Sequence, residues 1–346
     1  METDLGKRAL DTPSLKKNKM SNEIKPLVSI CCLVYNHEPY LHDCFEGFVK
    51  QQTTFPFEIL VHDDASTDHS ADIIREYTAK YPYLFKPIYQ AENQYSKGIR
   101  VTNQYQYPRA QGKYIALCEG DDYWTDPHKL QMQVDWLETH PKYSMCCTDA
   151  AIISPNKELN WSHYKKDTDI PINDMILGGG ELIQTCTILF RKNLLVSYPQ
   201  CCKECAVGDY PLQLWSVLNG KVRYFASKTG AYRINHPGSW SSAQTNYSKS
   251  FHTWTSILKM IDDLDTLTSQ QHHKVFQLQQ ERFIVIQSCY ANGSLRPLKD
   301  VFYILSHFPN ISNRHRLFPV PQKINYIYFI IRTLFIIKTR KILRFK

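Results

Sequence analysis

Largely apolar runs alternate with amphipathic segments along the first half of the chain. The runs at 27–34, 57–62 and 113–118 predict strands buried on both faces, as in a parallel sheet. Each run is followed by apolar residues at helical spacing, and 86–90 and 143–151 predict two further strands. This alternation predicts an α/β protein with a doubly wound, mostly parallel sheet flanked by helices.

Polar side chains follow three of the predicted strands. Tyr35 and Asn36 come after the first, Asp63 and Asp64 after the second, and an acidic run at 119–122 after the third. Ligands of such sheets bind beyond the carboxyl ends of the strands. The three clusters are therefore expected to form one site.

The acidic run places Glu119, Asp121 and Asp122 within four residues. Like charges this close raise one another's pKa unless a cation lies among them, and hard oxygen ligands suit Mg²⁺ or Mn²⁺. From the residues alone, two interpretations remain open: a divalent-metal site and a solvated acidic turn.

The second half of the chain has a less regular pattern. Residues 155–180 are polar and end in three glycines, which predicts a mobile surface loop, and 182–190 predicts a strand. Asp209 lies near the start of a predicted helix, and 251–290 holds further helical patterns. No internal repeat is visible.

The motifs resemble those of a known family. Residues 28–36, 63–68 and 119–124 resemble the family 2 glycosyltransferases of bacteria, which have the GT-A fold. Downstream, 208–212 and 232–241 are similar to that family's acceptor-side motifs. The ordered series is specific, although each motif alone is weak, and the last hundred residues carry none of them.

The resemblance implies roles for the acidic run. Asp121 matches the last acid of the D-x-D pattern, which holds the metal in this family. Glu119 stands where the first Asp is usual, so its partner stays open between the ribose, the metal and a water. Asp122 is expected either to support the site or to bind the metal itself.

The resemblance also implies a donor site around Asp63 and Asp64, where the family binds uracil and ribose. A carboxylate can accept the uracil imide N–H, although a helix N-cap, which Ser66 or Asp68 would satisfy, is the alternative. Tyr35 is expected to pack against the base, or to be a packed aromatic at the strand end.

Asp209 is the candidate catalytic base. The acceptor hydroxyl must lose a proton as it attacks the anomeric carbon, and one carboxylate near that proton suffices. A single displacement would invert the anomeric centre. The alternative is an N-cap aspartate at the start of its helix.

Several residues complete the expected site. His236 is a candidate metal ligand or an exposed loop histidine. Arg233 is a candidate for anchoring the diphosphate, because a guanidinium matches phosphate oxygens, or for anchoring the loop. Lys97 and Arg100 either approach the diphosphate or form a solvated face. Trp240 either stacks on a sugar or packs its loop.

Composition excludes some classes of site. The 346 residues are 43% hydrophobic, enough for a real core, and include eleven cysteines. Several of these lie in apolar runs, which favours buried thiols in a reducing compartment over a disulfide framework. The cysteines at 201–205 lack the second pair typical of zinc sites, and no Gly-Lys-Ser/Thr follows the glycines at 178–180.

The net charge of +8 is concentrated near the end of the chain. From Pro321 onward there are seven Lys or Arg residues and no acid, a pattern that favours an anionic membrane surface over nucleic acid. The apolar residues of this segment have helical spacing, which predicts an interfacial helix or, alternatively, a packed helix with a solvated basic tail. The run at 326–337 is shorter than the about 20 residues of a spanning helix, and residues 1–25 show no signal peptide.

These expectations divide the chain into four parts. They are a disordered leader (1–25), a GT-A glycosyltransferase domain (26–245), a helical extension (246–320) and a basic amphipathic membrane-surface helix (321–346). The expected activity is inverting, metal-dependent transfer of a sugar from a nucleotide donor, which the Asp63–Asp64 pair predicts to be UDP-linked. The expected acceptor is a glycan or lipid-linked oligosaccharide of surface polysaccharide synthesis, reached from the cytoplasmic face of the membrane.

Rival functions remain. A sugar-nucleotide pyrophosphorylase would need a Gly-rich, Arg-containing loop after the first strand, where residues 35–38 stand instead. A dinucleotide oxidoreductase would need G-x-G-x-x-G. A non-catalytic glycan- or membrane-binding scaffold would be indicated by loss of Asp121 or Asp209, and both are present.

Overall fold

The computed structural model describes residues 25–155, 157–159, 162–239 and 247–290. Ten strands of this part form one sheet. The strands are β1 (Val28–Val34), β2 (Phe57–Asp63), β3 (Ile88–Tyr89), β4 (Tyr114–Leu117), β5 (Tyr123–Trp124), β6 (Tyr143–Ser154), β7 (Lys157–Leu159), β8 (Thr168–Asp169), β9 (Leu189–Arg191) and β10 (Lys221–Arg233).

Helices cover the sheet. They are α1 (Leu41–Val49), α2 (Ser70–Lys80), α3 (Tyr107–Arg109), α4 (Lys129–Thr139), α5 (Ile172–Gly178), α6 (Gln200–Glu204), α7 (Asp209–Leu218), α8 (Tyr247–Leu267) and α9 (His273–Tyr290). A π-helical turn, Thr102–Gln106, leads into α3. Among the described residues, no helix is both long enough and apolar enough to cross a membrane.

The strand order is β3-β2-β1-β4-β9-β6-β10-β5, with β7 on β6 and β8 on β10. Strands β1 to β4 pair in parallel, as do β6 and β10. Strand β9 runs antiparallel between β4 and β6, so those two point the same way. The predicted α/β architecture with a mostly parallel sheet is confirmed.

Two hydrophobic clusters lie on opposite faces of the sheet. Ile30 and Cys32 of β1 belong to one cluster and Cys31 to the other, since successive side chains of a strand point to opposite faces. Burial on both faces is why β1 is apolar without interruption.

Two predictions for the region after β6 are wrong. The strand expected at 182–190 is only the three-residue β9, preceded by a 3₁₀ turn, Thr185–Thr187, in which Thr187 Oγ1 donates to Gln184 O at 2.8 Å. Such local bonds compete with strand pairing. The expected mobile loop at 155–180 instead contains β8 and α5, and Met175 and Ile176 of α5 are fully buried.

Strand β10 was not predicted, although it is the longest in the sheet at 13 residues. Its register with β6 shifts on both sides of Lys228, which marks bulges. The bulges place polar residues 227–229 inside the strand and break the alternation by which a strand is recognised. The expected leader and basic terminal helix lie outside the described residues, apart from Lys25.

The loops after β1 and β2 are bonded to each other. The Glu38 and Ser70 amides both donate to the carboxylate of Asp68, at 3.0 and 2.9 Å, and the Asn36 amide donates to Ser66 Oγ at 2.9 Å. Asn36 and Ala65 adopt φ values of 56° and 62°, which turn the chain sharply there. The two loops therefore form one rim above the sheet.

Gly47 lets α1 approach the strand that follows the acidic run. A Cβ at this position would lie 2.8 Å from the backbone N and O of Trp124 in β5. Gly47→Ala is expected to lower the free energy of unfolding, because overpacking against backbone costs about 1–3 kcal/mol. The gain in helix propensity is only about 1 kcal/mol. Chemical denaturation measures the change.

The control for this change is Glu76→Ala on the exposed side of α2, which is expected to stay close to wild type. If Gly47→Ala were as stable as this control, the close approach of α1 to β5 would be contradicted.

Candidate active site

The polar clusters meet at the carboxyl ends of β1, β2 and β4. The Gly120 amide donates to Leu33 O at 2.8 Å and the Asp64 amide to Val34 O at 2.9 Å, so both acidic segments flank the end of β1. Arg233, at the end of β10, and His236 just beyond it reach the same place. The structure thus brings together residues from distant parts of the sequence.

Asp121 faces two histidines. His236 Nε2 lies 3.0 Å and His37 Nε2 3.9 Å from Asp121 Oδ2, while Oδ1 is buried with no hydrogen-bond partner among the described residues. Burial raises the pKa of Asp121, but the His236 hydrogen bond and both imidazoles outweigh it and bring the pKa below its usual value. The hydrogen bond to Asp121 in turn raises the pKa of His236.

His37 was missed as a site residue. Its only sequence signal is its place in the polar cluster after β1. A Cβ on Gly120 would lie 2.8 Å from His37 Nδ1, so the glycine leaves room for the ring. Burial lowers the pKa of His37 and favours the neutral imidazole.

Asp122 and Arg233 hold the acidic run in place. The Arg233 amide donates to Asp122 Oδ1 at 2.8 Å, and its guanidinium donates to Asp121 O at 2.7 Å and to Asp43 Oδ2 at 2.6 Å. The guanidinium also lies 4.4 Å from the centre of the Tyr123 ring. Arg233 was expected to anchor the diphosphate or the loop, and its bonds in this structure position the acidic run.

Asp122 and Glu119, unlike Asp121, favour their protonated forms. Burial, followed by the charge of Asp121, raises the pKa of Asp122 well above its usual value, and Asp122 Oδ2 is buried without a hydrogen-bond partner among the described residues. Burial and the charges of Asp121 and Asp209 raise the pKa of Glu119 to about 8.

Asp209 is the first residue of α7 and lies within electrostatic reach of Glu119. The residue at the N-cap is Gly208, while Asp209 Oδ1 accepts the Tyr210 amide at 2.8 Å. A Cβ on Gly180 would lie 3.2 Å from Asp209 Oδ2. Burial raises the pKa of Asp209, so the group is a stronger base than an exposed aspartate.

Asp64 is bonded to the loop that follows β3. Its two carboxylate oxygens accept the amides of Gln94 and Tyr95 at 2.8 and 3.0 Å, and the ring of the buried His62 lies 3.7 Å away. Asp63 Oδ1 accepts the Ser66 amide at 3.3 Å, and burial raises the pKa of Asp63. Asp64 therefore sets the position of this loop at the rim of the site.

Other predicted site residues differ in their surroundings. The side chain of Tyr35 is 45% exposed at the rim, so it is not a packed core aromatic. Lys97 pairs with Glu92, and Arg100 donates to Ala206 O at 3.0 Å. Trp240 lies outside the described residues.

The donor set fits a divalent cation only in part. Asp121 and Asp122 supply buried oxygens without hydrogen-bond partners, and His236 supplies an imidazole. In the described part of the chain, no three His, Cys, Asp or Glu side chains form a group able to hold a metal, the cysteines at 201–205 included. Mg²⁺ and related ions commonly bind through one or two carboxylates and take further ligands from substrate phosphates and water.

Comparison with known proteins finds a family match for the first part of the chain. Residues 29–196 match the family model for glycosyl transferase family 2. This segment is a glycosyl transferase family 2 domain. The matched range covers the donor-side rim and the acidic run of the family 2 domain, while Asp209, Arg233 and His236 lie beyond it.

Two relatives illustrate the similarity. An uncharacterized protein of Mycobacterium tuberculosis (strain ATCC 25618 / H37Rv) is 34% identical over 230 residues, which cover 65% of this chain and 64% of the relative's length. The Escherichia coli UDP-Glc:alpha-D-GlcNAc-diphosphoundecaprenol beta-1,3-glucosyltransferase WfaP is 26% identical over 265 residues, 73% of this chain and 91% of WfaP.

A solved structure supports the fold. TarS 1–349 of S. aureus in complex with UDP-GlcNAc superposes with a TM-score of 0.53 at 16% identity, covering 82% of this chain and 89% of that one. At this identity the likeness concerns the fold alone. The fold is GT-A, as the resemblance of the sequence motifs implied.

The role of Arg233 is testable by Arg233→Lys. The change removes the paired N–H donors that hold Asp121 O and Asp43, and hydrogen bonds to charged groups contribute about 1.5–3 kcal/mol. The variant is expected to lose about 2 kcal/mol of unfolding free energy in chemical denaturation.

The matched control is Arg75→Lys. Arg75 also pairs with an aspartate, Asp72, at 2.6 Å and lies 5.2 Å from the centre of the Tyr89 ring, but it does so on the open surface. Little measurable change is expected there because water screens exposed pairs. Equal losses in the two variants would refute the positioning role.

Proposed function

We propose that the protein is an inverting, metal-dependent glycosyltransferase that transfers a sugar from a nucleotide donor, UDP-linked by preference, to a hydroxyl group of a glycan. The observation that carries the proposal is that Asp209 and Asp121, the latter with its unbonded buried Oδ1 and adjacent His236, both lie within electrostatic reach of Glu119. The match to the family model supports the reaction class.

The donor diphosphate is proposed to bind above Asp121. Mn²⁺ or Mg²⁺ held there by Asp121 and His236 would neutralise the negative charge that the leaving diphosphate acquires. Arg233 and Asp122 keep the backbone of the acidic run in position, and the exposed Tyr35 ring is available to the base. Asp63 and Asp64 form the wall on the nucleoside side.

Asp209 is proposed to accept the acceptor's proton. As the hydroxyl oxygen forms its bond to the anomeric carbon, its proton passes to the Asp209 carboxylate. The bond from that carbon to the donor phosphate breaks, and its electron pair leaves with the nucleoside diphosphate. One displacement from the opposite face inverts the configuration. The half-buried position of Asp209 supports this role, because desolvation raises its pKa and a raised pKa strengthens the base.

The acceptor is proposed to be a growing surface glycan or a lipid-linked oligosaccharide. The similarity to WfaP, whose name specifies a diphosphoundecaprenol-linked acceptor, supports this class of substrate. Synthesis on such an acceptor would place the protein peripherally on the cytoplasmic face of the membrane. The chain spans 64% of the length of its mycobacterial relative, so the acceptor remains a proposal.

Metal-linked donor binding distinguishes the enzyme from a non-catalytic scaffold. Calorimetry is expected to show UDP binding that Mn²⁺ strengthens, with Asp121→Asn weakening the metal-dependent part by about tenfold or more. Asp135→Asn, an exposed substitution on α4, is the control and should leave both titrations unchanged. UDP binding that is indifferent to Mn²⁺ would favour the scaffold.

Asp209→Asn tests the proposed base. Turnover is expected to fall by about 10²- to 10⁴-fold while UDP binding is retained. In the wild type, kcat should decline as pH falls through the raised pKa of Asp209, because only the carboxylate accepts a proton. This decline should begin at a higher pH than an ordinary aspartate would give, and the variant should lack it.

Two glycine substitutions test whether kcat depends on the exact position of the Asp209 carboxylate. Gly180→Ala would bring a Cβ within 3.2 Å of Asp209 Oδ2 and is expected to lower kcat about tenfold by displacing the carboxylate. Gly208→Ala, where the new Cβ would have no atom within 4 Å apart from its chain neighbours, should keep kcat. A near-normal kcat for Asp209→Asn would remove Asp209 from the role of base.

A further inference from the structure

A groove of about 1270 Å³ runs along the flank of the sheet, between the start of β1 and the segment before α6. We call it the basic groove. Among its lining residues Glu204 is the one acid, whereas six are cations: Lys25, Arg100, Lys113, Arg191, Lys192 and Lys203. Neither the donor site nor the candidate base uses any of these cations.

Most of this positive charge is not compensated. Arg191 Nε donates to Tyr143 O at 2.7 Å and Lys192 Nζ donates to Ala110 O, and such carbonyl contacts hold a cation without cancelling its charge. Within the described part of the chain, Lys113 is the one cation of the six that pairs with a carboxylate, that of Glu138 at 2.8 Å. The groove therefore presents a positive potential to its surroundings.

An apolar side chain stands at the edge of the same groove. Val196 lines it and is 89% exposed. The side chains of Lys25 and Lys203, which also line the groove, are exposed to solvent. An exposed apolar residue among uncompensated lysines is typical of surfaces that bind the interface of an anionic bilayer.

One wall of the groove is bonded to the segment that precedes Asp209. Arg100 Nη1 donates to Ala206 O at 3.0 Å, and Asn103 Nδ2 donates to Lys203 O at 3.1 Å. These bonds tie this wall to the segment that leads directly into Asp209. Lys25 and Lys113, in contrast, line the groove at the starts of β1 and β4, away from the carboxyl ends of those strands.

We propose that the basic groove docks the protein on anionic phospholipid headgroups. Phosphates enter between Lys25, Lys203 and Arg100, and Val196 reaches into the interface. Docking along the Arg100 and Lys203 wall would bring the segment before Asp209 towards the membrane, where a lipid-linked acceptor would be presented. This last step rests on the proposed function, whereas docking itself does not.

Vesicle co-sedimentation of the full chain tests the docking. The vesicles are phosphatidylcholine with or without phosphatidylglycerol, and the groove variant is Lys25→Gln/Lys203→Gln. Each lysine near an anionic surface changes binding about fivefold, so the variant should bind phosphatidylglycerol vesicles about 25-fold more weakly. The basic segment after Pro321 is present in every variant, so its contribution to vesicle binding is the same in each and cancels in the comparison.

The charge-matched control is Lys80→Gln/Lys86→Gln, which removes two exposed lysines at the far edge of the sheet near β3. It should bind vesicles as the wild type does. Val196→Ser is expected to weaken binding further, whereas Tyr83→Ser, at a residue 90% exposed near those control lysines, should not.

Vesicle binding and UDP-sugar hydrolysis are measured separately, so failure of the docking proposal can be distinguished from failure of the proposed function. Wild-type vesicle binding by the groove variant, or an equal loss in the control, would overturn the proposal. Hydrolysis of a UDP-sugar without vesicles should be the same in the groove variant as in wild type. Absence of hydrolysis in wild type, with docking intact, would count against the proposed function alone.

Discussion

The structure depends on how buried carboxylates are held together at the end of β4. Asp121 and Asp122 are adjacent and almost fully buried, and unscreened negative charges in such surroundings repel strongly. Three features reduce this repulsion. They are the contact of His236 with Asp121, the hydrogen bonds from the Arg233 amide and guanidinium, and the protonation of neighbouring carboxyls. A cation supplied with the donor would replace that protonation.

The groups that balance these charges come from far along the chain. Arg233 and His236 lie more than 100 residues after the acids and reach them because β10 pairs in parallel with β6 and ends beside β5. The bulges around Lys228 turn β10 before it arrives there. The acidic run is therefore built locally, but its stability depends on strand pairing across the whole sheet.

The difference between local sequence patterns and contacts made by distant strands explains what the sequence could predict. The apolar runs of β1, β2 and β4 and the polar residues after them are local patterns, so the parallel sheet and the site's location were predictable. The partners of Asp64, the amides of residues 94 and 95, carry no side-chain signal. The positioning role of Arg233 and the place of His37 depend on tertiary packing, and β10 was hidden because its bulges disrupt alternation. The GT-A fold came from the resemblance, since no periodicity specifies it.

The bonds between the loops after β1 and β2 have a consequence for ligand entry. Because Asp68 and Ser66 join both loops, neither can open without breaking hydrogen bonds of the other. The conformational entropy of this rim is thus lost when the protein folds, not when a nucleotide arrives, and association is correspondingly less costly. The rim acts as a preorganised wall, and any adjustment on binding falls to the loop after β3, which rests on it through Asp64.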